Sequence, residues 1–159
     1  VNPSLLGLPR LYWVLWVGQF VNRLGGFVLT FLPLFLTEHH RYSDAQAGVV
    51  LSLYGLGSLG GSSLGGWASD RYGRRRTILA FSLLSAAVLL LFGVAPAGAA
   101  SAAMAVLHGL SNGYGPALSA AVADVVQPED RTRAYAYFYW AVNLGFAAAA
   151  WSGARSSSV

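Results

Sequence analysis

The sequence predicts an all-α fold, a polytopic transmembrane helix bundle. Three observations predict it. Hydrophobic residues make up 55% of the 159 and charged residues only 10%, where soluble domains carry roughly a quarter charged. Short segments between long apolar runs hold nearly all the acidic residues and most of the arginines. Each run is long enough, at about 1.5 Å rise per residue, to cross a hydrocarbon core of roughly 30 Å.

The elements follow in order. Residues 1–10 form a short leading segment, and residues 11–36 the first span, too long for a signal-peptide core and without a convincing small-residue cleavage site. After "TEHHRYSD" comes a second span over 45–68, and after "DRYGRRR" a third over 77–95. The uncharged "PAGAAS" leads into a fourth over 99–123, and "QPEDRTR" into a fifth over 134–151. Residues 152–159 read as a polar tail, expected to lie out of frame.

All ten basic residues are arginine and the formal net charge is +4. A basic chain raises nucleic acid as a partner, but most of the arginines sit between apolar runs, so the expected partner is the lipid bilayer and no nucleic acid. Arg10, Arg71, Arg74, Arg75, Arg76, Arg131 and Arg133 fall on one side of the predicted spans, against Arg41 on the other. The asymmetry predicts a cytoplasmic N-terminus. With no cysteine and three histidines out of ligand spacing, neither a disulfide nor a metal site is expected, and no cofactor is implied.

The stretch "GLGSLGGSSLGGWASDRYGRRR" opens with Gly55, Gly57 and Gly60 in the spacing of a dinucleotide loop. Such a loop needs a strand before it and a helix N-terminus after it. Here the first half of an apolar helix precedes it, and no Lys-Ser or Lys-Thr follows to make a P-loop. Gly57, Gly61 and Gly65 recur every fourth residue instead, which predicts a side-chain-free ridge where another helix backbone approaches closely.

The second half of that stretch is more specific. Gly66, Asp70, Arg71, Gly73, Arg74 and Arg75 in "GWASDRYGRR" resemble the signature loop between helices two and three of the major facilitator superfamily of secondary transporters. A positive-inside anchor would account for the arginines but not for Asp70 or Gly73. A receptor-type "DRY" belongs after a third span, and this one follows a second. The resemblance runs from about residue 11 to 148, through "VNRLGGFVLTFLPLFLTE" as a first helix and "GPALSAAVADVVQPEDRTRAYAYFYWAVNLGF" as helix four, loop and helix five. It implies that Arg74 pairs with Asp124 and that these residues, with Arg131, close a cytoplasmic gate. Two positions depart from the family pattern: Ala68 stands where the family often has a Leu-like residue, and Ala105 where it often has Arg. Helix five also lacks the Gly-Pro and Gly-Gly motif into which the family's antiporters continue it.

Polar residues fall within the spans. Gln19, Asn22, Arg23, Gly26 and Thr30 share one face of the first helix at i, i+3, i+4, i+7 and i+11. A central Arg costs about 2.5–3.5 kcal/mol to insert, so Arg23 should face protein or water. In the fourth span His108, Ser111, Asn112, Gly115 and Ser119 repeat the pattern, with Gly113, Gly115 and Pro116 permitting a kink. The resemblance places helices one and four beside the central pathway, which makes Gln19, Asn22, Arg23, His108, Ser111 and Asn112 its candidate lining. The competing reading of these groups is ordinary interhelical hydrogen bonding.

"GLSNG" at residues 109–113 also satisfies G-x-S-x-G, with His108 three residues before Ser111. A nucleophile elbow needs a strand-to-helix turn and an acid to orient the histidine, and the spans offer neither. No enzyme is therefore expected. The resemblance implies secondary active transport of a small-molecule substrate by alternating access, in the direction of efflux, in a bacterial inner membrane. A complete member has about twelve spans in two halves, so the chain is expected to be an N-terminal fragment, inactive without its missing C-terminal half. A non-transporting membrane remnant or partner protein is the alternative.

Overall fold

Ser43 starts the longest helix by exchanging hydrogen bonds with Gln46. Its Oγ accepts the Gln46 N–H at 3.3 Å, and its own N–H donates to Gln46 Oε1 at 3.0 Å. This capping box satisfies two amides that the first helical turn would leave without partners. The computed structural model describes the backbone of residues 5–25 and 27–156, and the side chains among them outside 24–30, 146 and 148–156. Its helices are α1 (Arg10–Gly25), α2 (Phe27–Leu34), α3 (Asp44–Tyr72), α4 (Arg74–Phe92), α5 (Ala99–Leu110), α6 (Tyr114–Val125) and α7 (Arg131–Ser156). No strand occurs among the described residues. Among them, α3 and α4 are long and apolar enough to cross a membrane unaided.

Among the described residues the helices depart from uninterrupted spans in two places. Beyond α2 the chain continues as a π-helical turn, Phe35–His39, where Thr37 returns its hydroxyl to the Pro33 carbonyl at 3.1 Å. Between α5 and α6 lies a 3-10 turn, Ser111–Gly113, so the serine motif sits in a helix interruption and not in a continuous helix. Pro116 contributes to this break because it has no N–H to offer the carbonyl four residues earlier. At the other end α7 runs on through Ser156, so residues 152–156 continue the helix where a polar tail was expected.

Two compact units are present, one of residues 32–120 and one of residues 1–31 with 121–159. In the first, α3 and α5 pack backbone to backbone. A Cβ on Gly57 would overlap the Val106 carbonyl, one on Gly61 the Leu110 carbonyl, and one on Gly65 the Gly113 carbonyl. The approach is reciprocal: a Cβ on Gly109 would overlap the Tyr54 carbonyl, and one on Gly113 would lie 2.7 Å from the Gly61 carbonyl oxygen. The 3-10 turn keeps this contact in register. Four α-helical residues from Gly61 to Gly65 advance about 6 Å, and so do three residues at about 2.0 Å each from Leu110 to Gly113.

Gly73 alone joins α3 to α4. Its N–H donates to the Ser69 carbonyl at 3.1 Å and its carbonyl accepts the Thr77 N–H at 3.2 Å, so one residue ends one helix and begins the next. Its φ of 90° and ψ of 152° lie where side-chain-bearing residues rarely go. At the opposite end of this unit Tyr42 ties down the α4–α5 connection. Its hydroxyl lies 2.7 Å from Ser101 Oγ and accepts the Gly98 N–H.

The second unit is built on aromatic residues of α1 clasping α7. Leu8, Tyr12, Val122, Val126 and Ala134 are its buried core, with Trp13, Trp16, Tyr137 and Phe138 packed around them. The Tyr12 hydroxyl donates to the Ala134 carbonyl at 2.7 Å, and Trp16 Nε1 to the Tyr137 carbonyl at 2.6 Å. Farther along, Gly145 lets α7 approach α1: a Cβ there would stand 2.7 Å from Arg23 Cβ.

Candidate functional site

Two groups of polar residues stand out in the unit of residues 32–120. At the α3–α4 turn, Arg74 Nη1 donates to Asp70 Oδ1 at 2.6 Å and to Ser69 Oγ at 2.8 Å. The turn at Gly73 makes this possible by bringing the first residue of α4 back over the last turn of α3. Arg71, Arg75 and Arg76 are exposed. Gly66 is half-buried, and the place a Cβ would take is open space, so nothing in the packing requires glycine there.

The other group lies where α5 gives way to the 3-10 turn. Asn112 Nδ2 donates to the Tyr54 hydroxyl at 2.8 Å and to Ser58 Oγ at 3.1 Å, both on α3. The His108 ring is buried and stands 5.6 Å from the Tyr54 ring. Ser111 is buried too, and its hydroxyl donates to the His108 carbonyl at 2.5 Å, while His108 Nδ1 is 3.5 Å away. A hydroxyl held by its own helix backbone is not poised as a nucleophile. Asn112 spends both amide hydrogens on Tyr54 and Ser58 and keeps its oxygen, leaving both hydroxyl hydrogens to donate onward. The arrangement can therefore hold an acceptor-bearing molecule or water.

The remaining sequence-predicted residues lie in the other unit. Gln19 is buried on α1 with no hydrogen-bond partner for Oε1. Asn22 and Arg23 are half-buried, and Arg23 packs along α7 at Gly145. Asp124 is exposed near the end of α6, and Arg131 donates to the Ala123 carbonyl at 3.0 Å. Gly26 and the Thr30 side chain lie outside the described residues. Among the described residues, no three His, Cys, Asp or Glu side chains gather as metal ligands.

Sequence reasoning missed Tyr54 and Ser58, and Gly109 with Gly113 as helix-packing residues. The signals were present. Tyr54 and Ser58 are i, i+4 beside the glycine ridge, and Gly109 and Gly113 repeat its four-residue spacing in the span that meets it.

A family model described as Major Facilitator Superfamily matches residues 15–155. Among curated proteins the chain is similar to a Na(+), Li(+), K(+)/H(+) antiporter of Planococcus maritimus, 28% identical over 80% of this chain and 31% of the relative. It is also similar to multidrug resistance protein 2 of Bacillus subtilis, 27% identical over 92% of this chain and 37% of the relative. Multidrug resistance protein MdtG of Serratia proteamaculans is 30% identical over 82% of this chain and 33% of its own length. The chain thus spans about a third of the length of these curated relatives. No solved structure matches it.

Proposed function

Because the chain belongs to the major facilitator superfamily and is an integral membrane protein, we propose that it serves secondary active transport of a small molecule by alternating access, in the direction of efflux. The family match across residues 15–155 carries this reading, and the names of the two multidrug resistance relatives support the direction. The match covers only 31%, 37% and 33% of these relatives, which supports a pathway completed by sequence corresponding to their remainder. In this reading the spans cover 11–36, 45–68, 77–95, 99–123 and 134–151, in a bacterial inner membrane. The polar group of Tyr54, Ser58, His108 and Asn112 borders the pathway and offers hydrogen bonds to cargo. Asp70 and Arg74 belong to the cytoplasmic gate.

The experiment measures accumulation of a fluorescent cation such as ethidium in a pump-deficient host that expresses the complete transporter carrying this segment. Lower accumulation than in the empty host, lost with Asn112→Leu, is the expected result, and equal accumulation rejects efflux of that cargo. Orientation is read separately with single cysteines, since the chain has none. Gln127→Cys should be labelled from the cytoplasm and Ser43→Cys from outside, and the reverse pattern overturns the topology.

A further inference from the structure

The six arginines of the "DRYGRRR" and "QPEDRTR" segments look equivalent in the sequence, and the structure sorts them. Arg74 is taken up by Asp70 and Ser69. Arg131 is bonded to the Ala123 carbonyl, and Arg133 pairs with Asp130 at 3.0 Å while packing over Gly7. Arg71, Arg75 and Arg76 are exposed and pair with no carboxylate among the described residues.

Their placement is directional. Ser69 and Thr77 are buried, and a residue two positions along a helix lies on nearly the opposite side. Trp67 and Arg71 each stand two residues from Ser69, and Arg75 stands two before Thr77. Trp67 and Arg71 therefore face away from the glycine ridge of α3, and Arg75 faces away from the buried side of α4. Trp67 and Tyr72 are 57% and 53% exposed, and they meet edge to face with ring centroids 5.7 Å apart. Exposed indole and phenol rings at the end of a membrane helix settle at headgroup depth, where their apolar bodies meet acyl chains and their polar tips meet water. Arginine beside them presents the planar fork that takes a phosphate in two hydrogen bonds.

We propose that the α3–α4 turn is a binding site for the headgroup phosphate of an anionic phospholipid, gripped by Arg71 and Arg75 with Arg76 beside them and seated on the Trp67–Tyr72 pair. The occupant is a bilayer lipid rather than free phosphate, because the aromatic pair supplies a surface for the glycerol and upper acyl chain that inorganic phosphate does not use. The site depends on the chain lying in a membrane and not on its transporting anything.

The test places the chain in nanodiscs of phosphatidylcholine mixed with phosphatidylglycerol and reads the lipids retained after release by native mass spectrometry. Wild type should retain phosphatidylglycerol in excess of its share. Each of Arg71→Gln, Arg75→Gln and Arg76→Gln should lower that excess by about fivefold, which corresponds to about 1 kcal/mol per charge near an anionic surface. The double variant Arg131→Gln/Arg133→Gln, with two charges removed from the other loop, should leave the excess unchanged. Equal losses from the two sets would reduce the effect to net charge and overturn the site. So would an undiminished excess in the triple variant. In a thermal melt, phosphatidylglycerol should stabilise the wild type more than phosphatidylcholine with added inorganic phosphate does, and equal stabilisation would overturn the choice of a lipid.

Discussion

Arg74 reaches back over Gly73 to the Asp70 carboxylate at 2.6 Å, so the ion pair closes a turn that a single glycine makes. Asp70 is 75% exposed on its side chain, which limits the pair to about 0–1 kcal/mol. The backbone matters more. A Cβ at Gly73 meets nothing within 4 Å, but a φ of 90° is strained for any residue with a side chain. Gly73→Ala is expected to cost about 1–3 kcal/mol and Asp70→Asn less than about 1. Unfolding of both variants in detergent checks the order, and a larger loss from Asp70→Asn would assign the turn to the charge.

The glycine ridge makes a sharper contrast, because the chain holds glycines of both kinds. Gly61→Ala pushes a methyl into the Leu110 carbonyl, whereas Gly48→Ala, in the same helix, meets open space. The Gly48 variant should be neutral or up to about 1 kcal/mol more stable, from helix propensity alone. Gly61→Ala should destabilise, and Gly61→Leu should destabilise further. Matching melting temperatures for the Gly48 and Gly61 variants would leave the ridge without a role.

Asn112 ties the 3-10 turn after α5 to α3 through two hydrogen bonds, and interhelical bonds in membranes are worth about 0.6 kcal/mol, up to about 2. Tyr54→Phe removes one acceptor while keeping the ring beside His108. A double-mutant cycle of Tyr54→Phe with Asn112→Leu should show coupling of about 0.5 kcal/mol or more, where strict additivity would mean that the bond contributes nothing.

His40 should make the loop before α3 sensitive to pH. Its ring lies between Phe35 and Tyr42, with centroids at 4.9 Å and 5.7 Å, and its Nε2 is buried without a hydrogen-bond partner. Burial, and secondarily the neighbouring His39, hold its pKa below the usual 6.5. The unfolded loop therefore binds the proton more readily, so the contribution to stability is present above about pH 6.5 and is lost as pH falls through the lower folded value. Labelling of Ala97→Cys, in the connection that Tyr42 holds through Gly98, should speed up on acidification. His40→Phe should flatten that dependence, and an unchanged profile would assign it to His39 or Glu38.

The fold class was legible because apolar length and charge placement answer to one constraint, that backbone polar groups be satisfied inside the bilayer. A four-residue glycine repeat is legible as a bare strip for the same kind of reason, since little else needs hydrogen in place of a side chain at that spacing. Partner choice is not written so locally. The spacing of His108, Ser111 and Asn112 marks a polar face, but nothing in it says that Asn112 bonds to Tyr54 and Ser58 on α3. Arg23 reads as a midplane charge, while its packing along Gly145 depends on where α7 runs. The helix break at Ser111–Gly113 was signalled by glycines and Pro116, but its 3-10 form follows from the distance between two carbonyls on one helix and two glycines on another.

The interlocked α3 and α5 behave like a toothed rack. The Val106, Leu110 and Gly113 carbonyls are the teeth, and Gly57, Gly61 and Gly65 are the notches. Moving α3 by one residue along and about its axis would present Ser58, Ser62 and Gly66, or Leu56, Gly60 and Leu64, to the same teeth, and four of those six carry side chains for which the gap has no room. Sliding of one helix past the other is thereby forbidden, although shear of that kind is a common way for packed helices to move. Any rearrangement of this unit must carry the two helices together as a single plank and take its bending elsewhere.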